Sequence, residues 1–300
     1  MSSDPSPAVR PEMPGRVIAI VVTHDPDLTA LGYLLEALKR QVSATIIVDN
    51  HSTRNLSNFL FAGAPSTETL LPLGENLGIA AAQNRGIERA RVMGAEAVIL
   101  FDQDSLPEPD MVWKLVAALG ALAAEGRKVA AVGPRPVDAR LGRHSTGDDG
   151  PERGPVPVDH LIASGCLIPM AAFEAVGPLR EELFIDYVDI EWCLRAASLG
   201  LICYRLDTLP MAHEFGSPVD VLGRSYVSHT PMRHYYLFRN TIWIWRQRAL
   251  PWRWRLRMTP RLLLRLGFNA IFARPHRQQW RLMRRGIADG FAGRMGKRHE

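Results

Sequence analysis

The sequence predicts an α/β protein with a mostly parallel sheet and helices on both faces. Three observations predict it. Apolar, β-branched runs recur near residues 16–23, 45–50 and 97–102, segments with helical spacing alternate with them, and polar residues close each run. Taken in order, Arg16–Thr23 (RVIAIVVT) reads as a strand buried on both sides. Leu31, Leu34, Leu35 and Leu38 place a helix over Leu31–Gln41. Thr45–Asn50 (TIIVDN) is a second buried strand, and the Gly74–Gly78 loop introduces an Ala-rich helix over Ile79–Met93. Ala97–Asp102 (AVILFD) is a strand, Met111–Ala124 a helix and Val129–Val132 a short strand. Residues 138–160, rich in Gly, Pro, Asp and Arg, read as a surface loop. A second region comes next, with Leu161–Pro169, a helix from about Asp189 to Leu199, and Ile202–Leu206. Gly216–Thr230 lacks periodicity and reads as loop, and the chain is helical in pattern from Tyr235 onward. There is no internal repeat.

At 300 residues and 47% hydrophobic content the chain can bury one sizeable core, and 8% aromatic with 22% charged residues excludes wholesale disorder. No run reaches the ~18–20 apolar residues that span a bilayer. The first 14 residues form a Pro/Ser-rich tail without the apolar core of a secretory signal. Cys166, Cys193 and Cys203 lack zinc spacing and cannot all pair, which points to a reducing, cytoplasmic compartment. The net charge of +5 is unevenly spread: residues 233–300 carry 16 arginines and one lysine against Asp289 and Glu300. The remainder holds 19 basic against 29 acidic residues, so an acidic body carries a strongly basic C-terminal segment.

In parallel α/β sheets ligands bind beyond the carboxyl ends of the strands. The polar clusters Thr23–Asp27, Asp49–Ser52 and Asp102–Ser105 all fall there. Asp102-Gln103-Asp104 ends a buried strand, and two carboxylates one residue apart can reach a hard cation such as Mg²⁺ or Mn²⁺ that bridges to phosphates. The alternative is a solvated turn in which Asp104 caps the next segment. Asn76, Gly78, Ala82, Asn84 and Gly86 form an N-x-G-x-x-x-A-x-N-x-G pattern across a helix start, where Gly78 permits close backbone approach. It can equally be a loop and helix whose small residues pack on the sheet. The G-x-G-x-x-G and G-x-x-x-x-G-K-[ST] fingerprints of dinucleotide and P-loop sites are absent.

Taken together, VVTHDP (21–26), IIVDNHS (46–52), NLGIAAAQNRG (76–86), FDQDS (101–105), SGCLIP (164–169), FIDYVDIEWCLRA (184–196) and AHEFGS (212–217) resemble family 2 glycosyltransferases. Within that family they look most like bacterial rhamnosyltransferases that use dTDP-L-rhamnose. The resemblance covers about residues 16–245 and implies the GT-A fold, a Rossmann-like sheet merged with an acceptor-binding half. With composition and charge, the chain divides into a disordered tail (1–14), a catalytic domain (15–232) and a basic helical segment (233–300). Within the domain, the nucleotide-sugar half would span about 15–135 and the acceptor half about 155–232.

By that resemblance Thr23, Asp25 and Asp49 hold the nucleotide, Asp49 at the pyrimidine, and Asn76, Gly78 and Asn84 line the nucleoside and sugar side. Asp102 touches ribose or sugar, Asp104 is the main ligand of a divalent metal, and His213 matches a further metal-ligand position; otherwise His213 is a surface histidine before a Gly turn. The segment 184–196 supplies the base, with Asp189 at the base position and Glu191 as the second candidate; Glu191 and Arg195 are also spaced as an i,i+4 pair. Independently of the resemblance, Arg233 and Arg239, just before the basic tail, are candidates to reach the diphosphate.

Five of the seven tryptophans lie within the basic segment, and Leu256–Phe272 shows an apolar stripe edged by arginines. That pattern suits an in-plane helix on an anionic membrane surface. Nucleic-acid binding, and packing of this helix on the protein itself or on a second copy in a homo-oligomer, are the competing readings. The expectation is a metal-dependent, inverting sugar transferase, peripheral at the inner face of the cytoplasmic membrane, with no nucleic-acid partner. Its donor would be dTDP-L-rhamnose, and its acceptor a cell-surface polysaccharide or lipid-linked glycan. The same chemistry with UDP-galactofuranose or a UDP-hexose, or a non-catalytic nucleotide-sugar binding protein, are the alternatives.

Overall fold

The computed structural model describes residues 15–298 apart from 61–67, 139–142, 145–153, 214–216, 222–223, 229, 248–249, 251 and 273–275. The expected N-terminal tail, most of the 138–160 loop and the centre of AHEFGS therefore lie outside the described residues. In chain order the first half comprises β1 (Val17–Thr23), α1 (Leu28–Leu38), β2 (Ala44–Asp49), α2 (Ser57–Leu60), β3 (Glu68–Pro72), α3 (Ile79–Val92), β4 (Ala97–Asp102) and α4 (Met111–Ala124). The second half holds β5 (Val129–Asp138), β6 (Arg143–His144), β7 (Val156–Val158), β8 (Cys166–Pro169), α5 (Met170–Val176), α6 (Val188–Ser198) and β9 (Ile202–His213). A hairpin of β10 (Ser217–Val221) and β11 (Arg224–Ser228) precedes three helices, α7 (Pro231–Arg246), α8 (Trp252–Phe272) and α9 (His276–Ala292).

The main sheet runs β3-β2-β1-β4-β8-β5-β9-β7, with β6 on β5. Its first four strands are parallel, β8 is inserted antiparallel between β4 and β5, and β5 and β9 are again parallel. Both faces are covered, which is why the strand sequences are continuous apolar runs instead of alternating ones. Ile18, Ile20 and Val22 of β1 point to the α3 and α6 side, while Val17, Ala19 and Val21 point to the α1 and α4 side. Burying each such side chain contributes about 1.5–3 kcal/mol relative to exposure. Register places Thr23 beside Asp49 and Val22 beside Asp102, so three adjacent strands end at one level. That alignment creates the polar edge on which the site is built.

Several expectations are revised. Residues 217–221 and 224–228 pair as the antiparallel strands β10 and β11 where a loop was expected, since Val219, Val221, Tyr226 and Val227 suit paired backbone although no period-2 pattern runs through them. Strand β5 continues past Val132 through Gly133-Pro134-Arg135-Pro136; a register shift against β9 between Pro134 and Arg135 accommodates the prolines. Strands β6 and β7 lie within the expected 138–160 loop.

The chain from Pro231 packs into the body. In α7, Tyr235 to Ile242 are buried, and α9 lies against them through Leu282 and Met283. Helix α8 is attached through buried Trp254, the Arg257–Asp159 ion pair (2.6 Å) and the Trp245–Thr259 hydrogen bond (3.2 Å). Among the described residues no helix is long and apolar enough to cross a membrane.

Candidate active site

A cleft of about 800 Å³ opens at the carboxyl ends of β1, β2 and β4. On its β1–β2 side the Thr23 hydroxyl donates to Asp49 Oδ1 (3.1 Å), and Ser52 Oγ donates to the same oxygen (2.5 Å). Ser52 Oγ accepts from Asp25 N (2.9 Å), and Asp25 Oδ1 accepts from the Thr53 backbone and hydroxyl (2.7 Å each). The Thr53 hydroxyl and N–H hold the exposed Asp25 carboxyl below its ordinary pKa. Asp25 and His51 are in the left-handed region (φ 47° and 72°), so two non-glycine residues carry strain at this edge.

Asn50, which the sequence reading did not single out, is the buried junction of this side. Its amide donates to Asn76 Oδ1 (3.1 Å) and its Oδ1 accepts from Leu77 N (2.9 Å), while Asn76 Oδ1 also accepts from Gly78 N (3.0 Å). Gly78 caps α3 at φ 87°, ψ 165°, a conformation open to glycine almost alone, and a Cβ there would stand 2.5 Å from Phe184 O. The same carbonyl accepts the first helical N–H, that of Ile79, at 2.8 Å. Glycine thus lets the loop after residue 183 close directly on the start of α3.

Across the cleft stand Asp102, Gln103 and the exposed Asp104. Gln103 Oε1 accepts from His24 N (2.8 Å), and Ser105 pairs with Ser164 (Oγ–Oγ 2.5 Å), joining β4 to the loop before β8. The opposite wall is residues 184–190. Phe184, Asp186 and Tyr187 are all left-handed (φ 65°, 63° and 67°), and the turn they make starts α6 with Asp189 in its first turn. Asp189 is half-buried at the cleft wall; desolvation raises its pKa, opposed by His160 and by the Ile190 N–H, which donates at 2.8 Å. Arg233 lines the cleft with its Nε donating to Asp186 (3.1 Å).

Of the residues picked from the sequence, Thr23, Asn76, Gly78, Asp102, Asp104, Asp189 and Arg233 line this one cleft. Asp25 and Asp49 stand behind its rim in the network around Ser52. Asn84 is buried away from it, bonding Leu179 O (2.9 Å), Leu179 N (3.0 Å) and Glu181 (3.0 Å) and so tying α3 to the 179–181 turn. Glu191 is only 3% exposed and is clasped by Arg195 (Nε–Oε1 and Nη2–Oε2, 3.0 Å each) with Arg180 at 3.6 Å. Such a paired carboxylate has no path to a substrate proton. His213 ends β9 next to Ala212, a cleft residue, and its side chain lies outside the described residues.

Chemically the cleft joins two strand-end carboxylates, a guanidinium and, on the facing wall, a carboxylate with raised proton affinity. Among the described residues no three His, Cys, Asp or Glu side chains are grouped to enclose a metal ion. The Asp102–Asp104 donor set nevertheless fits a hard divalent cation, which takes one or two carboxylates and completes its shell with water and substrate phosphates.

Residues 18–156 match the model of the family described as Glycosyl transferase family 2. The chain is 34% identical over 256 residues to the dTDP-rhamnosyl transferase RfbF of Shigella flexneri, spanning 80% of this chain and 83% of the relative. It is 26% identical over 306 residues to the N-acetylglucosaminyl-diphospho-decaprenol L-rhamnosyltransferase of Mycobacterium tuberculosis, spanning 89% and 97%. Among solved structures, S. aureus TarS 1-349 in complex with UDP-GlcNAc superposes with a TM-score of 0.60 at 14% identity, over 92% of this chain and 81% of that one.

Proposed function

The chain belongs to glycosyl transferase family 2, and from that membership we propose that it moves L-rhamnose from dTDP-L-rhamnose to a glycan or lipid-linked acceptor with inversion. It is a glycosyltransferase of GT-A fold. The donor reading is carried by the 34% identity to a dTDP-rhamnosyl transferase over four fifths of the chain. The alternative donor is a UDP-sugar.

In this reading the nucleoside lies along Thr23, Asn50 and Asn76, and the sugar stands between Asp102 and Asp189. Asp189 accepts the proton of an acceptor hydroxyl as that oxygen bonds to the anomeric carbon, and the bond from that carbon to the diphosphate oxygen breaks with its electron pair leaving as nucleoside diphosphate. Attack opposite the leaving group inverts the centre in one displacement. Its raised pKa gives Asp189 more basicity than an ordinary carboxylate. Arg233, 45% exposed, offers positive charge near the leaving phosphates. Asp104, with Asp102, would hold a divalent cation, whose contribution when bound is Lewis-acid neutralisation of the diphosphate.

Titration calorimetry with dTDP, UDP and GDP, each with and without Mg²⁺, tests the donor. The expected result is Mg²⁺-dependent binding with dTDP preferred by at least tenfold. A preference for UDP discards rhamnose and keeps the transferase.

We further infer that α8 rests on an anionic membrane surface. Trp252, Leu256, Leu263 and Leu264 are 62–73% exposed on it, beside exposed Arg257 and Arg261, and Trp245 of α7 adjoins them. Apolar side chains flanked by arginines suit the headgroup boundary, where each cation near an anionic leaflet adds about 1 kcal/mol. The triple variant Trp252→Ser, Leu256→Ser, Leu263→Ser is expected to lose at least tenfold in co-sedimentation with phosphatidylglycerol-containing vesicles. Equal sedimentation of variant and wild type would remove the membrane from this face.

A further inference from the structure

We propose that Arg239 and Asn240 of α7 are positioning residues that fix the backbone carrying Asp186 and leading to Asp189, so that α7 sets the geometry of the acceptor side of the cleft. The inference rests on the reading of Asp189 as the base. Residues 183–187 form a short strained bridge: Phe184, Asp186 and Tyr187 are left-handed, and strain of this kind persists only where surrounding contacts over-determine it. Most of the carbonyls in this stretch are held by two consecutive α7 side chains. Arg239 Nη2 donates to Leu183 O (2.9 Å) and Glu182 O (3.2 Å), and its Nε donates to Asn240 Oδ1 (3.0 Å). Asn240 Nδ2 faces the carbonyls of Leu183 (3.0 Å), Ile185 (2.7 Å) and Asp186 (2.8 Å). One arginine–asparagine unit therefore grips the carbonyls of Glu182, Leu183, Ile185 and Asp186. That of Phe184, between them, goes to Ile79 N at the start of α3 (2.8 Å).

Both residues are buried to within 1% exposure. The Arg239 guanidinium lies 4.8 Å from the Tyr236 ring centroid and 5.6 Å from that of Tyr235, and burial lowers its pKa. Four of its hydrogen bonds go to the carbonyl oxygens of Glu182, Leu183 and Gly296 and to Asn240, so the charge serves to hold backbone in place. The grip includes the end of the chain: Arg239 Nη1 donates to Gly296 O (2.5 Å), Gly296 N donates to Glu182 O (2.7 Å), and Lys297 Nζ reaches Asn76 O (3.0 Å) on the donor side. The C-terminal residues thus brace the bridge from the outside. A carboxylate base works only when held within hydrogen-bond reach of its proton, and a displacement of about 1 Å can cost as much as 10²-fold.

The test compares Asn240→Ser, which removes the amide donors, and Arg239→Lys, which keeps the charge and loses the fork, with Gln279→Ala as a control. Gln279→Ala breaks the buried His234–Gln279 bond (2.6 Å) between α7 and α9 and leaves the Arg239 and Asn240 donors to the bridge in place. Each full-length variant is read by release of dTDP from dTDP-L-rhamnose against pH, by dTDP affinity, and by amide hydrogen exchange of residues 183–189. For Asn240→Ser and Arg239→Lys the expected result is a tenfold to thirtyfold fall in kcat, a moved acidic limb, dTDP affinity within threefold, and at least tenfold faster exchange in the bridge. Gln279→Ala is expected to lower the melting temperature and leave kcat and the limb alone. Either positioning variant, folded, with wild-type kcat or wild-type exchange in the bridge overturns the inference; if one variant fails to fold, the other decides. Full turnover by Asp189→Asn would instead overturn the base reading itself, so the two failures are distinct.

Discussion

Replacing Asp189 by Asn is expected to lower turnover by about 10²–10⁴-fold, the usual contribution of a positioned general base. Nucleotide affinity should change little, because the network of Thr23, Asp49, Ser52, Asn50 and Asn76, proposed above to hold the nucleoside, is anchored on the other side of the cleft. Asparagine fills the same volume, so the fold should persist. The wild-type pH profile carries the same information with a defined sign. Burial raises the Asp189 pKa, so the carboxylate becomes available only above the ordinary aspartate range, and kcat should rise with pH through that higher limb. Stability runs the other way. A carboxyl whose folded pKa is raised binds its proton more tightly in the folded state, so its contribution declines as pH rises from the unfolded value through the folded one. Asp189→Asn should abolish the limb and remove that decline together. Near-wild-type turnover from folded Asp189→Asn protein would refute the base assignment, and Glu191 would not replace it, since Arg195 and Arg180 already hold its carboxylate.

The parts of this site that the sequence discloses are those encoded at strand ends. Buried parallel strands need unbroken apolar runs, so β1, β2 and β4 are visible, and the polar residues that stop each run mark the cleft. Thr23, Asp102 and Asp104 follow from that logic, and Gly78 from the close approach of Phe184. Asn50 adjoins Asp49 at such an end and could have been found the same way; its role comes from bonds to Leu77 and Asn76 about 26 residues away, which spacing alone does not reveal. Short or half-buried elements stay silent. Strand β3 is a half-buried segment at the sheet edge and β8 has four residues, too few for a period to register. Asn84 and Glu191 stand in the right motifs, yet hold the scaffold around the site. The basic segment holds unlike helices in one composition: α8 exposes Trp252, Leu256, Leu263 and Leu264 while Leu262 and Leu266 pack inward, α7 is largely buried, and α9 buries one face and exposes the other. Their signal was steric: Gly286 and Gly290, four residues apart, mark where α9 approaches α7 backbone.

Those glycines yield the sharpest test of that assignment, because the expected sign is opposite to the one helix propensity gives. In an open helical position Gly→Ala stabilises by about 0.5–1 kcal/mol by reducing the freedom of the unfolded chain. Gly267 of α8 is such a position, since an added Cβ would meet nothing within 4 Å. At Gly286 an added Cβ would collide with Tyr235 O, and at Gly290 it would stand 2.5 Å from Arg239 O and 2.9 Å from Ile242 Cβ. Backbone of a buried helix cannot swing aside as a side-chain end can, so α9 must move off α7. That displacement pulls on the Tyr235–Asp289 bond (2.9 Å), the His234–Gln279 bond (2.6 Å) and the packing of Met283. Gly286→Ala is therefore expected to cost about 2–3 kcal/mol net, a fall in melting temperature of several degrees, while Gly267→Ala holds or gains stability. Because α7 also grips the bridge before Asp189, Gly286→Ala protein should lose turnover faster than nucleotide affinity as temperature rises. A C-terminal segment that served only to lie on a membrane would show neither effect: both alanine variants would then melt with the wild type, and only vesicle binding would change.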